Sequence, residues 1–139
     1  MRLVLDTNVV ASALLWDGAP RLLLQAGREK RVKLFTSAAL LAELSNILAR
    51  RKFDKKILAS GLNVDQIVDR YAVLAALVRP ASIPRTAPDP DDDVVIATAL
   101  AAQVDLIVTG DKPLLSVAEY QGVRIISVDK ALQFIGLPR

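Results

Sequence analysis

Residues 89–111 place the strongest constraint on the fold. Four of the first five residues in this segment are aspartates, and residues 94–102 form an apolar run without Gly or Pro. A run rich in Ala and Leu is typical of a buried helix, and Pro90 with the aspartates supplies the usual start signals. Residues 105–109 are typical of a short buried strand. Asp111 is therefore predicted to lie at the carboxyl end of a strand.

The aspartates at 89–93 have two interpretations. One or two carboxylates at a helix N-terminus are explained by the helix dipole, which favours each by ~0.3–1 kcal/mol. Four need more, because two carboxylates ~4 Å apart repel by about 4 kcal/mol at an effective dielectric constant of about 20. We therefore expect a cation or basic side chains beside the cluster, and both a functional site and a structural charge cluster stay open.

The remainder of the chain alternates between strand-like and helix-like segments. Strands are predicted at 3–5, 32–36, 105–109 and 123–127, and helices at 9–15, 21–28, 38–51, 53–62, 63–78, 94–102, 113–120 and 131–135, with a loop or edge strand at 79–88. This order predicts an α/β fold, a three-layer α/β/α arrangement with a mostly parallel central sheet. No linker marks a second domain, so residues 1–139 are predicted to form a single domain.

Composition excludes several kinds of chemistry. The chain has no Cys and no His, which excludes disulfides, thiolate nucleophiles, histidine bases and the usual zinc sites. A hydrolase of this composition would use carboxylates with Mg²⁺ or Mn²⁺. No membrane span or signal peptide is visible, so a cytoplasmic protein is expected.

Three acids besides Asp111 stand at positions where a site could form. Ligands of parallel sheets bind outside the carboxyl ends of the strands, and Asp6 follows the strand at 3–5. Glu43 lies on or beside the buried face of its helix, where an unpaired acid would cost several kcal/mol. Asp93 opens the helix before the Asp111 strand. An N-cap role for Asp6 and a rim position for Glu43 are the simpler alternatives.

The net charge of +3 and the sequence pI of about 9.4 suit a polyanionic partner. The bases fall into two clusters: Arg28, Lys30, Arg31 and Lys33, and then Arg50, Arg51, Lys52, Lys55 and Lys56. Either cluster alone is also typical of solvated helix ends.

These residues resemble the PIN-domain nucleases over essentially the whole chain. The resemblance rests on four elements: Leu-Val-Leu-Asp-Thr-Asn at 3–8, Glu43, Asp-Val-Val-Ile-Ala-Thr-Ala-Leu at 93–100, and Leu-Ile-Val-Thr-Gly-Asp at 106–111. It implies that the catalytic metal ligands are Asp6, Glu43, Asp93 and Asp111. It also implies that Thr7, Asn8 and Thr109 support these ligands or contact phosphate.

The third ligand has an alternative, because three aspartates run together at 91–93. Asp93 is preferred for its offset to Ile96, Ala97 and Leu100, which fits the usual spacing of the family. Asp92 remains the competing candidate.

The resemblance implies a function as well. Small PIN domains are often the toxin half of bacterial toxin–antitoxin pairs. We therefore expect a divalent-metal-dependent endoribonuclease that uses Mg²⁺ or Mn²⁺, acts on RNA, forms a homodimer and is inhibited by a small antitoxin protein. The alternatives are a housekeeping RNA-processing nuclease without an antitoxin and a catalytically silent domain that binds RNA or a partner.

Two other α/β families fit less well. A haloacid-dehalogenase-type phosphatase needs a second Asp two residues after the first, where this chain has Asn8. A dinucleotide-binding domain needs a glycine-rich first turn, and residues 6–15 contain no Gly.

Overall fold

The computed structural model describes residues 1–87 and 89–137. Pro88, Pro138 and Arg139 lie outside the described residues. The last residue of the predicted loop 79–88 and the last two residues of the predicted domain 1–139 therefore lie outside them as well. The strands are β1 (Arg2–Leu5), β2 (Lys33–Thr36), β3 (Ala76–Leu77), β4 (Leu106–Val108), β5 (Glu119–Tyr120) and β6 (Val123–Ile126). The helices are α1 (Thr7–Leu15), α2 (Ala19–Arg28), α3 (Ala38–Leu48), α4 (Asp54–Ser60), α5 (Val64–Leu74), α6 (Pro90–Ala102), α7 (Lys112–Val117) and α8 (Val128–Ile135).

The six strands form one sheet in the order β3-β2-β1-β4-β6-β5. All neighbouring strands are parallel except β5, which pairs antiparallel with β6. From β1 the chain continues to β2 and β3 on one side, and β4, β6 and β5 lie on the other side, so the strand order reverses beside β1. A crevice forms at such a switch point, outside the carboxyl ends of the two strands. The predicted mostly parallel α/β sheet is confirmed.

Helices cover both faces of the sheet, because side chains of successive strand residues point to opposite faces. In β1, Leu3 and Leu5 pack in a core with residues of α1, α2, α3, α5 and α8. Val4 packs in a second core, mostly against α6. All three side chains are at most 2% exposed, as expected for a strand buried on both faces. No helix of the described residues combines the length and apolarity needed to cross a membrane.

The two shortest strands correct the sequence predictions. The helix predicted at 63–78 ends at Leu74, because Ala75 is extended and the N–H of Val78 donates to the carbonyl of Thr36 at 2.9 Å. The helix predicted at 113–120 ends at Val117, and β5 forms a hairpin with β6 instead.

Two close contacts hold helices against their neighbours. The hydroxyl of Thr98 in α6 lies 3.0 Å from Ser37 Oγ at the start of α3, and both side chains are fully buried. On the other face, α2 approaches β2 so closely that a Cβ on Gly27 would lie 2.8 Å from Leu34 Cδ1. A larger residue at position 27 would therefore force the Leu34 side chain to move.

Candidate active site

Asp6 lies at the carboxyl end of β1, where it caps α1, and is 4% exposed. Its Oδ1 accepts a hydrogen bond from the Thr7 N–H at 2.8 Å, and its Oδ2 accepts one from the Thr109 hydroxyl at 2.7 Å. Burial raises the pKa of Asp6, the bonds from Thr109 and Thr7 oppose that change, and repulsion by Asp111 adds to it. The cap predicted as the simpler role is present, and the carboxylate also faces a second acid.

Thr109 connects the two strands at the centre of the crevice. While its hydroxyl donates to Asp6, its oxygen accepts from the Asp111 N–H at 3.0 Å. Asp111 caps α7 through a bond from the Leu114 N–H to its Oδ2 at 3.2 Å. One buried hydroxyl therefore positions the acids that follow β1 and β4.

Glu43 reaches the same crevice from α3. Its Oε1 accepts a hydrogen bond from the Thr7 hydroxyl at 2.9 Å, and the residue is half-buried. Burial is the main cause that raises the pKa of Glu43; the bond from Thr7 opposes it, and the charge of Asp6 adds to it. Glu43 thus contacts Thr7 from a half-buried position, which fits both the inward-facing and the rim position, and its role as a site residue stays a prediction.

Asp92 completes the acidic group. It is 9% exposed, and its Oδ2 is buried without a hydrogen-bond partner among the described residues. Burial raises the pKa of Asp92 to about 7, and the proximity of the Asp111 carboxyl, with repulsion by Asp6 and Asp89, raises it further. The acidic pocket, as we call it below, consists of Asp6, Glu43, Asp92 and Asp111.

Asp93 points elsewhere, although it was expected to converge with the other acids. Its Oδ2 pairs with Arg85 Nε at 3.0 Å, and its Oδ1 accepts from the backbone N–H groups of Ala87 at 2.7 Å and Thr86 at 3.2 Å. Successive residues of a helix differ in direction by about 100°, which is why Asp92 and Asp93 contact different groups here. The expected convergence is corrected: the structure brings Asp92 into the pocket and uses Asp93 to hold the preceding loop.

Electrostatic repulsion within the pocket is only partly relieved. None of its four acids has a Lys or Arg partner among the described residues, whose ion pairs join Arg21 to Asp17 and Arg85 to Asp93. The positive ends of α1, α6 and α7 stabilise the carboxylates at their starts. The sequence predicted a cation or basic side chains beside the aspartate cluster, and Arg85 is such a side chain. Because Arg85 pairs with Asp93, the four acids of the pocket remain without a basic partner among the described residues.

The side chains present fit a hard divalent cation in kind. Every side-chain ligand candidate is a carboxylate oxygen, which Mg²⁺ and Mn²⁺ prefer, and Asp92 Oδ2 is a buried oxygen without a donor. Within residues 1–87 and 89–137, however, no three acids are already arranged as a metal-binding cluster. The pocket supplies the ligand atoms without a preformed cage.

Sequence reasoning found Thr7 and Thr109 but missed other supporting residues. Asn8, expected to support ligands or contact phosphate, is exposed and forms no side-chain hydrogen bond within the described residues. Arg85 was missed because its contact to Asp93 spans a proline-rich loop, where no regular spacing indicates which residues meet. The Ser37–Thr98 contact crosses two helices and likewise has no local signal.

Fold and site together define an α/β protein with an acidic pocket at the switch point of a parallel sheet. The model of the PIN domain family matches residues 2–113, and the chain belongs to this family, whose members are generally nucleases. The suspected family membership is confirmed.

A solved structure with a similar fold is VapBC2 from Rickettsia felis bound to a DNA fragment from their promoter. The match has a TM-score of 0.61 at 13% identity and covers 91% of this chain and 98% of the other. A comparison with curated protein sequences gives no significant match.

Proposed function

We propose that the protein is a divalent-metal-dependent endoribonuclease. The observation that carries the proposal is the acidic pocket, in which the buried Asp92 Oδ2 has no donor and no base neutralises the four carboxylates within the described residues. Family membership supports a nuclease. The absence of His from the sequence leaves carboxylates as the side chains for such chemistry.

Asp6, Asp92 and Asp111 would hold Mg²⁺ or Mn²⁺, and Glu43 would act beside them through its contact with Thr7. When bound, a divalent cation lowers the pKa of a water ligand and stabilises charge on a phosphoryl group. Thr109 holds Asp6 and Asp111 in register, and the exposed Asn8 is available to contact a phosphate. The products, as the resemblance implies, would carry a 5′-phosphate and a 3′-hydroxyl.

Asp92 takes the place of Asp93 in this ligand set. Both oxygens of Asp93 are already occupied by Arg85 and by backbone N–H groups. We assign Asp93 to the positioning of residues 85–87, next to the start of α6.

The biological role we propose is that of a toxin in a toxin–antitoxin pair. The fold match to VapBC2 bound to promoter DNA supports an assembly rather than a lone chain. A single domain over residues 1–139, a homodimer, a small antitoxin partner and a cytoplasmic location belong to the same proposal. An RNA-processing enzyme without an antitoxin is the competing role, and a short reading frame beside the gene would favour the toxin.

The test is cleavage of mixed RNAs by purified protein with Mg²⁺ or Mn²⁺ and with chelator. We expect cleavage that chelator abolishes and that Asp6→Asn removes. Asp69→Asn, which neutralises an exposed carboxylate outside the pocket, is the matched control and should cleave normally. Cleavage that persists in chelator or in Asp6→Asn would contradict the proposal.

A further inference from the structure

A basic trough lies at the opposite edge of the sheet from the acidic pocket. A cavity of about 760 Å³ opens beside the first residues of β1 and β2. Its lining includes six cationic side chains: Arg2, Arg28, Lys30, Arg31, Lys33 and Arg70. No Asp or Glu is among the lining residues, although Glu29 and Asp69 are next to lining residues in the sequence.

Structural roles account for three of these cations. The guanidinium of Arg2 donates to the carbonyl of Ala102 at 2.6 and 3.1 Å, so it caps the C-terminus of α6. Arg2 and Lys33 also lie over the Phe35 ring, at 4.4 and 5.4 Å from its centre. Arg28 stands in the last turn of α2, where a positive charge opposes the helix dipole.

Lys30, Arg31 and Arg70 have no comparable role. All three are exposed, and their side chains form no hydrogen bond, ion pair or ring contact within the described residues. Lys30 even occupies a left-handed backbone position, with φ at 60°, where Gly or Asn is the usual residue. Like charges gathered without acids among the lining residues repel one another, and an anion would relieve that repulsion.

The shape of the trough suits a polymer better than a single small anion. A second cavity of about 250 Å³ shares Arg28 and Arg70 with the first and continues the basic lining to Arg21. Arg21 itself is paired with Asp17, so we do not count it among the available charges. The basic surface is thus a track along the protein rather than an isolated point.

We propose that the basic trough binds the phosphate backbone of RNA as a second contact site, separate from the acidic pocket. That the polyanion is RNA rests on the proposed function. Four-residue strands, at ~3.3 Å per residue, separate the two edges of the sheet by roughly 13 Å. Because helices cover both faces of the sheet, an RNA that contacts both the acidic pocket and the trough must extend beyond the cleaved bond and pass around the outside of the protein. The trough supplies attraction for a substrate whose phosphates the acidic pocket repels.

The test measures RNA binding without cleavage, in protein that carries Asp6→Asn, with chelator and a fluorescently labelled single-stranded RNA. The trough variant is Lys30→Gln/Arg31→Gln/Arg70→Gln. Its control, Arg79→Gln/Arg124→Gln/Lys130→Gln, removes the same charge from exposed positions outside both basic clusters and outside the lining of the main cavity. Thermal unfolding of both variants checks that they are folded, and Arg31→Gln alone serves if the triple variant is not.

The trough variant should bind about tenfold or more weakly at low salt than the control. The slope of log affinity against log salt should fall by roughly 2, since each lost single-strand phosphate contact removes about 0.7. For Arg31→Gln alone the slope should fall by about 0.7. The control should keep most of the slope of its parent.

Equal losses in the two triple variants would overturn the proposal, because net charge alone would then explain binding. Binding of a polyglutamate peptide but not RNA, with loss in the trough variant, would overturn it in favour of an acidic protein partner. Unchanged RNA binding in the trough variant, with metal-dependent cleavage by wild type, would contradict the role of the trough but not the proposed function. Trough-dependent RNA binding without any cleavage by wild type would contradict the proposed function but not RNA binding by the trough.

Discussion

Two adjacent aspartates at the start of α6 have opposite surroundings. Asp92 faces other acids and has a buried oxygen without a donor, whereas Asp93 accepts hydrogen bonds from Arg85 and two backbone N–H groups. A carboxylate among acids destabilises the metal-free fold, and one that accepts several donors stabilises it. Neutralising the two side chains should therefore change stability in opposite directions.

We expect Asp92→Asn to abolish cleavage and to raise the melting temperature of protein in chelator. The free energy of unfolding should rise by roughly 1–3 kcal/mol once solvent at the rim of the pocket is allowed for. Asp93→Asn should lower the melting temperature, with a loss of about 1–3 kcal/mol in the free energy of unfolding, because it weakens bonds to a buried group. The measurement is thermal unfolding of wild type and both variants, each in chelator and in saturating Mn²⁺.

Mn²⁺ at about 100 times its Kd should stabilise wild type by about 2.7 kcal/mol, and Asp92→Asn by clearly less. If instead Asp93→Asn melts higher and loses the response to Mn²⁺, the ligand is Asp93, as the sequence spacing first indicated.

Thr109 can be tested by removing its hydroxyl while keeping its shape. Thr109→Val deletes the bonds to Asp6 and from Asp111, so we expect cleavage to fall by about 10–100-fold, the usual loss for a group that orients metal ligands. The pKa of Asp6 should rise further, because the Thr109 bond lowers it, and the acid limb of the pH–rate profile should shift upward. Thr109→Ser keeps the hydroxyl and should retain activity; a serine variant as slow as the valine variant would refute the positioning role.

At the scale of the elements, the contact between α2 and β2 leaves little space beside Gly27. Gly27→Ala would on helix propensity alone gain about 1 kcal/mol. The new Cβ would lie 2.8 Å from Leu34 Cδ1 and 3.2 Å from its Cγ, both within a fully buried side chain. Overpacking of this kind costs ~1–3 kcal/mol.

We therefore expect Gly27→Ala to lower the free energy of unfolding. The same change in a Leu34→Ala background should cost less or stabilise, because the clashing atoms are gone, with a coupling of at least ~0.5 kcal/mol. Urea unfolding of the four proteins in the cycle measures this. Additive effects would show that α2 shifts freely and that glycine is not required there.

The four main strands were predictable because their apolar runs and following acids or turns are local signals. β3 was not, since Ala76 and Leu77 continue a helical pattern and become a strand only through pairing with β2. β5 had a readable signal in Gln121 and Gly122, whose backbones have φ of 48° and 87°; such a pair is typical of a two-residue hairpin turn.

The choice within the aspartate run depended on the direction of one helix. Asp92 shares a face with Ile96 and Ala99, four and seven residues on, and both are fully buried in the core under the sheet. That stripe points toward β1 and β4. The spacing of the family favoured Asp93 instead. Spacing carries no information about the loop before α6, from which Arg85 pairs with Asp93.

At the scale of the whole molecule, the raised pKa values link stability to pH. The pKa of Asp92 lies near 7 in the folded protein against an ordinary value of 3.8, and those of Asp6 and Glu43 are raised as well. Between the two values for Asp92, the folded state holds a proton that the unfolded chain releases, so this contribution to stability falls as pH rises.

We expect the melting temperature of Asp92→Asn to exceed that of wild type by an amount that grows from about pH 4 to about pH 7 in chelator and levels off above that. Parallel scans at several pH values measure the difference, which cancels the titration of groups that the two proteins share. A constant difference across this range would mean that Asp92 is not the protonated carboxyl.

The hydrogen bond from Thr109 to Asp6 joins residues 103 positions apart in the sequence. A growing chain on the ribosome exposes Asp6 and Glu43 early, yet β1 obtains its second neighbour only after residues 106–108 have been translated. Pairing over such a span is slow to form and is completed late. The pocket is therefore assembled at a late stage of synthesis, and a nascent chain that stops before β4 contains three of the four acids but lacks Asp111 and the Thr109 hydroxyl that positions Asp6.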